Sequence, residues 1–321
     1  MKIIMCSLFI YIFLMCGSMN VTGAEPGQGS GTKQKTILVT GASTGIGRKI
    51  TEVLAARGYF VYAGARKQKD LDELNNIENV QSIRLDVTVQ EDIEAAVETV
   101  RNAGRGLYGV VNNAGVAILG PIIEVDVEEL EWVFDVNVFG VYRVTQAFAP
   151  LIIKERGRII MMGSISGFLS GPFLGHYSMS KHAIEAYTDT LALEMERFGV
   201  RVSVIEPGNY KSQIALSASS RMQSEGYLSG NSPYVEDMKQ RMSGPLDRSQ
   251  YKEPDEVADA VLHALFDDDP KHRYMVVPNE FEAGLTIRTV LRQLVQLNER
   301  QGYTYNREQL INMLDELIGA R

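Results

Sequence analysis

The sequence predicts an open, doubly wound α/β fold: a single parallel sheet with helices on both faces, followed by a C-terminal helical extension. Three observations carry that prediction. Short strand-like runs alternate with longer amphipathic ones from residue 36 to about residue 277, as βαβ units do. Runs such as Thr36-Ile37-Leu38-Val39 and Gly109-Val110-Val111 are apolar without interruption, as expected where helices cover both faces of a parallel sheet. The first of them leads straight into a glycine-rich turn, Thr40-Gly41-Ala42-Ser43-Thr44-Gly45-Ile46-Gly47, and then into an amphipathic stretch reaching about Ala56.

Taken in order, residues 1–24 stand apart. Lys2 precedes an apolar run over 3–16, and Thr22-Gly23-Ala24 supplies small residues at its exit, which together describe a secretory signal peptide. Extension of the run to Val21 makes a marginal membrane anchor the second reading. Translation starting at Met19, which would leave the protein cytoplasmic, is the third. Asn20-Val21-Thr22 fits a glycosylation sequon but lies inside the segment a signal peptidase removes. Residues 25–35, rich in Gly, Gln, Ser and Lys, read as a linker, and a domain over 36–280 follows. Its strands are expected at 36–40, 60–64, 80–85, 107–111, 158–162, 200–205 and 273–277, with helices at 46–56, 91–101, 130–153, 176–198 and 255–266. No repeat with a period of 20–50 residues interrupts the pattern. Over 281–321 two further helices are expected, at 281–297 and 307–318. Leu285, Val290, Leu294 and Leu297 space out as one apolar face of the first, which favours packing on its own body over lying on a membrane, covering a pocket or joining a subunit interface.

Composition narrows the function. The 321 residues are 45% hydrophobic and 22% charged, with a formal net charge of -8, so no general basic surface invites nucleic acid. The two cysteines, Cys6 and Cys16, both fall in the N-terminal apolar stretch. The body therefore offers no disulfide, thiol nucleophile or cysteine metal site. His176, His182, His263 and His272 lack a metal-binding spacing, and no metal is expected.

Ligands of an open α/β sheet bind at the carboxyl ends of its strands, so the residues there carry the chemistry. In the first turn, Gly41 accepts positive φ, while Gly45 and Gly47 let a bound group come close and the helix pack tightly. The unpaired N–H groups at the helix start form an anion site, and the pyrophosphate of a dinucleotide is its expected occupant. The spacing is Gly-x3-Gly-x-Gly rather than Gly-x-Gly-x-x-Gly, and three glycines in seven residues also make ordinary turns. Other strand ends must decide. After the second strand come Arg66 and Lys67, where an NAD site usually has an acid for the ribose 2′-hydroxyl; the first acid is Asp70. Cations at this place favour the 2′-phosphate of NADP(H), NAD(H) remaining the second choice, unless the two simply begin a solvated helix. After the third strand, Asp86-Val87 offers an acceptor to an adenine amino group. Asn112-Asn113-Ala114-Gly115 follows the fourth and Gly163-Ser164-Ile165-Ser166-Gly167 the fifth. Tyr177 and Lys181, at i and i+4, share one face of a helix. An ammonium beside a phenol favours the phenolate and suits the tyrosine to general acid–base work at neutral pH, although Tyr-x3-Lys alone is common.

Together the elements Thr40–Gly47, Asn112-Asn113-Ala114-Gly115, Asn137, Ser164, Tyr177-Ser178-Met179-Ser180-Lys181 and Pro207-Gly208 resemble a short-chain dehydrogenase/reductase in order and approximate spacing. That resemblance implies a Rossmann-type sheet and named roles. Tyr177 would be the catalytic acid/base, and Lys181 would assist it and hold the nicotinamide ribose. Ser164 would bond the substrate oxygen, and Asn137 would support a proton relay through water. Gly41, Ser43, Thr44, Gly45, Ile46 and Gly47 would cradle the diphosphate, Arg66 and Lys67 the 2′-phosphate, and Asp86 and Val87 the adenine. Asn113, Ala114 and Gly115 would line the cofactor cleft, and Pro207 and Gly208 would flank the nicotinamide. Ser212 stands where many members have a carboxamide-binding Thr. The segments 107–115, 198–200 and 206–208 are similar to retinol and hydroxysteroid dehydrogenases. The implied activity is NADP-dependent interconversion of a hydrophobic alcohol and its ketone or other carbonyl compound. The alternative is a dinucleotide-binding regulatory protein without turnover. The resemblance also implies a homo-oligomer through the helices at 130–153 and 176–198, and membrane association through the N-terminus. Residues 213–250 would be the substrate loop, whose Met222, Tyr227, Tyr234, Met238 and Met242 either line an apolar pocket or pack on the body.

Overall fold

A computed structural model of the chain describes residues 34–224, 232–242 and 250–319; the expectations for 1–24, for most of the linker, for Tyr227 and for the side chain of Met242 lie outside them. The strands are β1 (Thr36–Val39), β2 (Phe60–Ala65), β3 (Val80–Arg84), β4 (Gly109–Asn112), β5 (Arg158–Met162), β6 (Arg201–Pro207) and β7 (Arg273–Val276). All seven are parallel, in the order β3-β2-β1-β4-β5-β6-β7. The order reverses at β1, and a crevice opens there between β1 and β4 at their carboxyl ends.

The apolar runs serve two faces at once, because successive side chains of a strand point to opposite sides. Leu38, Val110, Ile159 and Met161 join one core with helices α3 (Gln90–Asn102), α5 (Gly140–Glu155) and α6 (Gly175–Glu196). Ile37, Val39, Val111, Ile160 and Met162 join the other with α1 (Gly45–Ala56), α2 (Gln68–Leu74) and α9 (Asp255–Phe266). Phe148 of α5 is fully buried, and truncating such a side chain to alanine costs about 3–5 kcal/mol.

Three features of the helices position the site. The helix expected at 130–153 runs from Val127 as α4 (Val127–Phe134), passes through a π-helical turn at Asp135–Phe139, and continues as α5. Its length and composition would suit a membrane span, but Val144, Phe148 and Ile152 are buried in the first core. The expected substrate loop after β6 carries two helices, α7 (Ile214–Ser224) and α8 (Val235–Met242), in keeping with the reading that its apolar residues pack on the body. The third is a correction at α10 (Glu280–Asn298). Leu285, Val290, Leu294 and Leu297 face solvent, Leu297 being 77% exposed. The helix docks instead by its polar side, where Glu282 and Thr286 are buried. The reason is specific: the Glu282 carboxylate accepts from the backbone N–H of Asn209 at 2.8 Å, and Asn279 caps the helix by accepting from the Glu282 N–H at 2.9 Å. In α11 (Arg307–Gly319) no residue is buried.

Candidate active site

At the end of β1 the backbone geometry demands glycine. Gly41 and Gly45 take φ of +63° and +57°, a left-handed region that costs residues with a Cβ. A Cβ on Gly47 would lie 2.3 Å from both the Gly41 carbonyl oxygen and Asn113 Nδ2. The α1 N-cap, Thr44, makes no side-chain cap hydrogen bond, and no acidic residue stands in the first turn. The N–H groups of that turn are left to a ligand, with the helix dipole behind them. This cradle fits a dinucleotide diphosphate. Ser43 and Ile46 are half-buried beside it and Thr44 is exposed. Ser212 lies against it too, 3.4 Å from where a Gly45 Cβ would be.

Thr40 and Asn113 lace the turn to the end of β4. The Thr40 hydroxyl accepts from the N–H groups of Asn113 and Ala114, each at 3.0 Å. Asn113 Nδ2 donates to the carbonyls of Thr40 and Gly41 at 2.9 and 3.1 Å. The side chain expected to line the cleft thus holds the glycine turn in shape. At the next strand ends, Arg66 is 60% exposed and reaches Asp86, Nη1 to Oδ2, at 3.7 Å. Burial raises the Asp86 carboxyl, but its hydrogen bonds from Thr88 and the Arg66 charge outweigh that and leave it below its ordinary value. Lys67 is exposed beside them, whereas the Val87 side chain is buried against Gly140.

The reacting end is assembled by the π turn and α6. The π turn presents Asn137, buried, toward the loop after β4: its Oδ1 accepts from the Val116 N–H at 2.8 Å, and its Nδ2 donates to the Val116 carbonyl at 2.8 Å and to Ser180 Oγ at 3.0 Å. Ser180 in turn donates to the Tyr177 carbonyl at 2.7 Å. Asn137 Oδ1 and Lys181 Nζ flank the same point beside Gly115, 3.4 and 3.9 Å from where its Cβ would be. Lys181, also buried, donates to the Met162 carbonyl at the end of β5 at 2.7 Å, and its Nζ lies 5.6 Å from the Tyr177 ring centroid. Burial pulls the ammonium down to about 8 against the opposing effect of Glu185, so it is still mostly charged at pH 7. Ser164, at the end of β5, accepts from the Ser166 N–H at 3.1 Å, which leaves its own proton to donate.

Around Tyr177 the surroundings are apolar. Ile118, Leu119, Val133, Met222 and Met238 form a third buried cluster, against which Tyr177, Trp132, Phe173 and Tyr234 pack. Met222 and Met238 therefore pack on the body as well as bordering the site. Arg221 fastens α7 to α4 by a forked pair with Glu129, at 2.6 and 2.7 Å. On the nicotinamide side, Pro207 is buried and Gly208 half-buried, and a Gly208 Cβ would collide with the Glu282 carboxylate. Sequence reasoning missed Thr40, Ser180, Glu129, Arg221 and Glu282 as builders of the site. Of these only Thr40 and Ser180 lay within motifs already singled out, where their spacing from Asn113 and Asn137 carried no signal.

With this geometry in hand, the relatives agree on a class. Residues 35–223 match the family described as short chain dehydrogenase, and the chain belongs to that family, whose members are oxidoreductases acting on CH–OH groups. It is 34% identical over 207 residues to the mitochondrial D-beta-hydroxybutyrate dehydrogenase of Mus musculus, spanning 61% of this chain and 60% of that protein. It is 33% identical to Retinol dehydrogenase 16 of Mus musculus, over 75% of this chain and 80% of the relative. Among solved structures, a short-chain dehydrogenase from Streptomyces avermitilis superposes with a TM-score of 0.70 at 28% identity, covering 84% of this chain and 96% of that one. An alcohol dehydrogenase from Thermococcus sibiricus complexed with 5-hydroxy-NADP gives a TM-score of 0.61 at 27% identity, over 76% and 96%. The match thus spans about 60% of the length of the hydroxybutyrate dehydrogenase.

Proposed function

We propose that the chain interconverts a hydrophobic alcohol and its carbonyl compound using a nicotinamide dinucleotide, NADP(H) in preference to NAD(H). The observation that carries the reading is the placing of Tyr177, beside the Lys181 ammonium on one flank and against an apolar cluster on the other. A bound nicotinamide supplies the hydride acceptor or donor. Ser164 donates its hydroxyl proton to the substrate oxygen. Tyr177 then takes or gives the proton at that same oxygen, general acid–base work of the kind worth about 10²–10⁴-fold. The Lys181 charge favours the phenolate, and Asn137, through Ser180 and Val116, fixes the frame around both. Met222, Met238 and Leu119 supply an apolar wall suited to a retinoid- or steroid-like skeleton. Arg66 and Lys67 favour the 2′-phosphate, Arg66 with Asp86 holding its guanidinium near the ribose end of the crevice.

Assay of a ketone panel with wild type and Tyr177→Phe tests the activity. Wild type should reduce at least one bulky ketone, with the variant at least about 100-fold slower. A wild type that binds NADPH but reduces nothing, with the variant alike, would mark a regulatory protein. Arg66→Asp should weaken NADPH binding far more than NADH binding; equal losses would show that Arg66 does not read the phosphate. We further assign 36–280 as the catalytic domain and 281–321 as its extension. Exposed Tyr142 and Leu193 on α5 and α6 support a homo-oligomer through these helices. The apolar N-terminus supports secretion or membrane attachment, which sequencing of the mature chain would test.

A further inference from the structure

Behind the site, further along the face of α6 that carries Tyr177 and Lys181, lies a carboxylate cluster that the proposed reaction does not use. Glu185, one helical turn beyond Lys181, is 8% exposed, and Glu206, at the end of β6, is 1% exposed. Arg273 of β7 serves both: its Nε donates to Glu206 at 2.9 Å, and its Nη2 donates to Glu185 Oε2 at 3.0 Å and to Asp189 at 2.9 Å. His272 also meets Asp189, at 2.8 Å. The other groups facing the cluster are Lys181, whose ammonium feels Glu185, and the backbone of the loop after β5. One guanidinium therefore stands against two almost fully buried carboxyls and a third at the rim. Glu185 Oε1 is buried without a hydrogen-bond partner, a costly state for a carboxylate oxygen. That same oxygen lies 2.9 and 2.8 Å from where Cβ atoms on Gly163 and Gly167 would be. These glycines bracket the loop that carries Ser164, and both are free of side chains where the Glu185 carboxyl presses on them.

We propose that Glu185 and Glu206 share one proton, clamped by Arg273, and that this carboxyl pair is a positioning device that holds the Ser164 loop and the Lys181 turn of α6 in register. Glu206 carries the proton and donates it to Glu185 Oε1, which supplies the missing partner and leaves one negative charge for the guanidinium. Burial first, and then the neighbouring Glu185 charge, push the Glu206 carboxyl up to about 8 against the pull of Arg273. The positioning role rests on the alcohol–carbonyl reading of the site; the shared proton does not.

The two parts are tested separately on the full chain. Glu206 has a folded value above its ordinary 4.5, so its contribution to stability is complete at low pH and is lost as pH rises through about 8. The Glu206→Gln amide donates to Glu185 without ionising. Its melting temperature relative to wild type should rise between pH 5.5 and 8.5, by on the order of 3 °C. A difference that stays flat or falls with pH overturns the shared proton. Should that variant fail to fold, wild type alone decides. A protonated-carboxyl infrared band should be present at pH 7 and fade through about 8; its absence at pH 7 is equally fatal. For positioning, Glu185→Ala should lower kcat by about tenfold to a hundredfold, as small misplacements of reacting groups do. The nucleotide Kd should stay within about twofold, since that loss lies in reacting geometry rather than in uniform binding, and Glu185→Gln should restore part of kcat. An unchanged kcat, or no rescue by Gln, removes the positioning role while leaving the shared proton standing. A wild type that turns over no substrate removes the enzyme reading and the positioning role with it, and the thermal and infrared results still report on the proton.

Discussion

Two arginines hold buried carboxylates beside α6, and their charge balance differs. On the substrate side Arg221 forks onto Glu129 and lies 3.9 Å over the Trp132 ring. That pair is neutral as it stands, a strut between α7 and α4. On the sheet side Arg273 faces Glu185, Glu206 and the more exposed Asp189 together, and the buried Glu185–Glu206 pair matches the one guanidinium charge only by keeping a proton. The same kind of contact thus gives a fixed strut in one place and a proton-dependent clamp in the other. Counting ion pairs would not tell them apart; counting carboxyls per guanidinium does.

Breaking the crowded cluster should have the largest effect. Arg273→Met strands two buried carboxyls and should destabilise the fold by about 3 kcal/mol, the low end for a broken buried pair because the guanidinium is a third exposed. The deficit should deepen as pH rises toward 8.5, measurable by denaturant unfolding at two pH values. Breaking the strut should cost less and ignore pH. Glu129→Gln removes one charge from a forked pair and should cost about 1–3 kcal/mol, equal at about pH 7.5 and 8.5. Buried His176 is held below its ordinary value by burial with Glu129 opposing, and losing that opposing charge moves it further in the same direction, away from the pH range compared. A pH-dependent deficit here would erase the distinction between strut and clamp. The smallest effect on stability belongs to the exposed Arg66–Asp86 pair. In Arg66→Asp it should stay within about 1 kcal/mol, even though the nucleotide preference changes.

How much of this was legible in the sequence depended on chain distance. The glycine turn, the uninterrupted apolar strands and the Tyr177–Lys181 spacing are local patterns, and the sheet with its strand ends follows from them. Asn113 was legible as a neighbour of the cofactor cleft but not as the brace of the turn, because its partners Thr40 and Gly41 lie more than seventy positions away. Glu185, Glu206 and Arg273 lie far apart in the chain, on a helix and two strands, and no local pattern links them; only the β5-β6-β7 order brings them together. The outward apolar face of α10 misled for the opposite reason. Periodicity marks a helix face correctly, yet which face docks was set by one buried carboxylate, Glu282, on the backbone at Asn209.

The π turn at Asp135–Phe139 has a consequence for the whole helix that contains it. From Glu129 to Ile152, both buried, an uninterrupted α-helix would swing the second side chain about 140° from the first at about 100° per residue. One extra residue absorbed in a wider turn reduces the mismatch to about 40°. The turn is therefore a phase correction: α4 keeps Glu129 toward the substrate loop while α5 keeps Ile152 toward the sheet. Asn137 sits where the two phases meet, so the residue at the reacting end occupies the one point of the helix that cannot slip without turning one half of it away from its core.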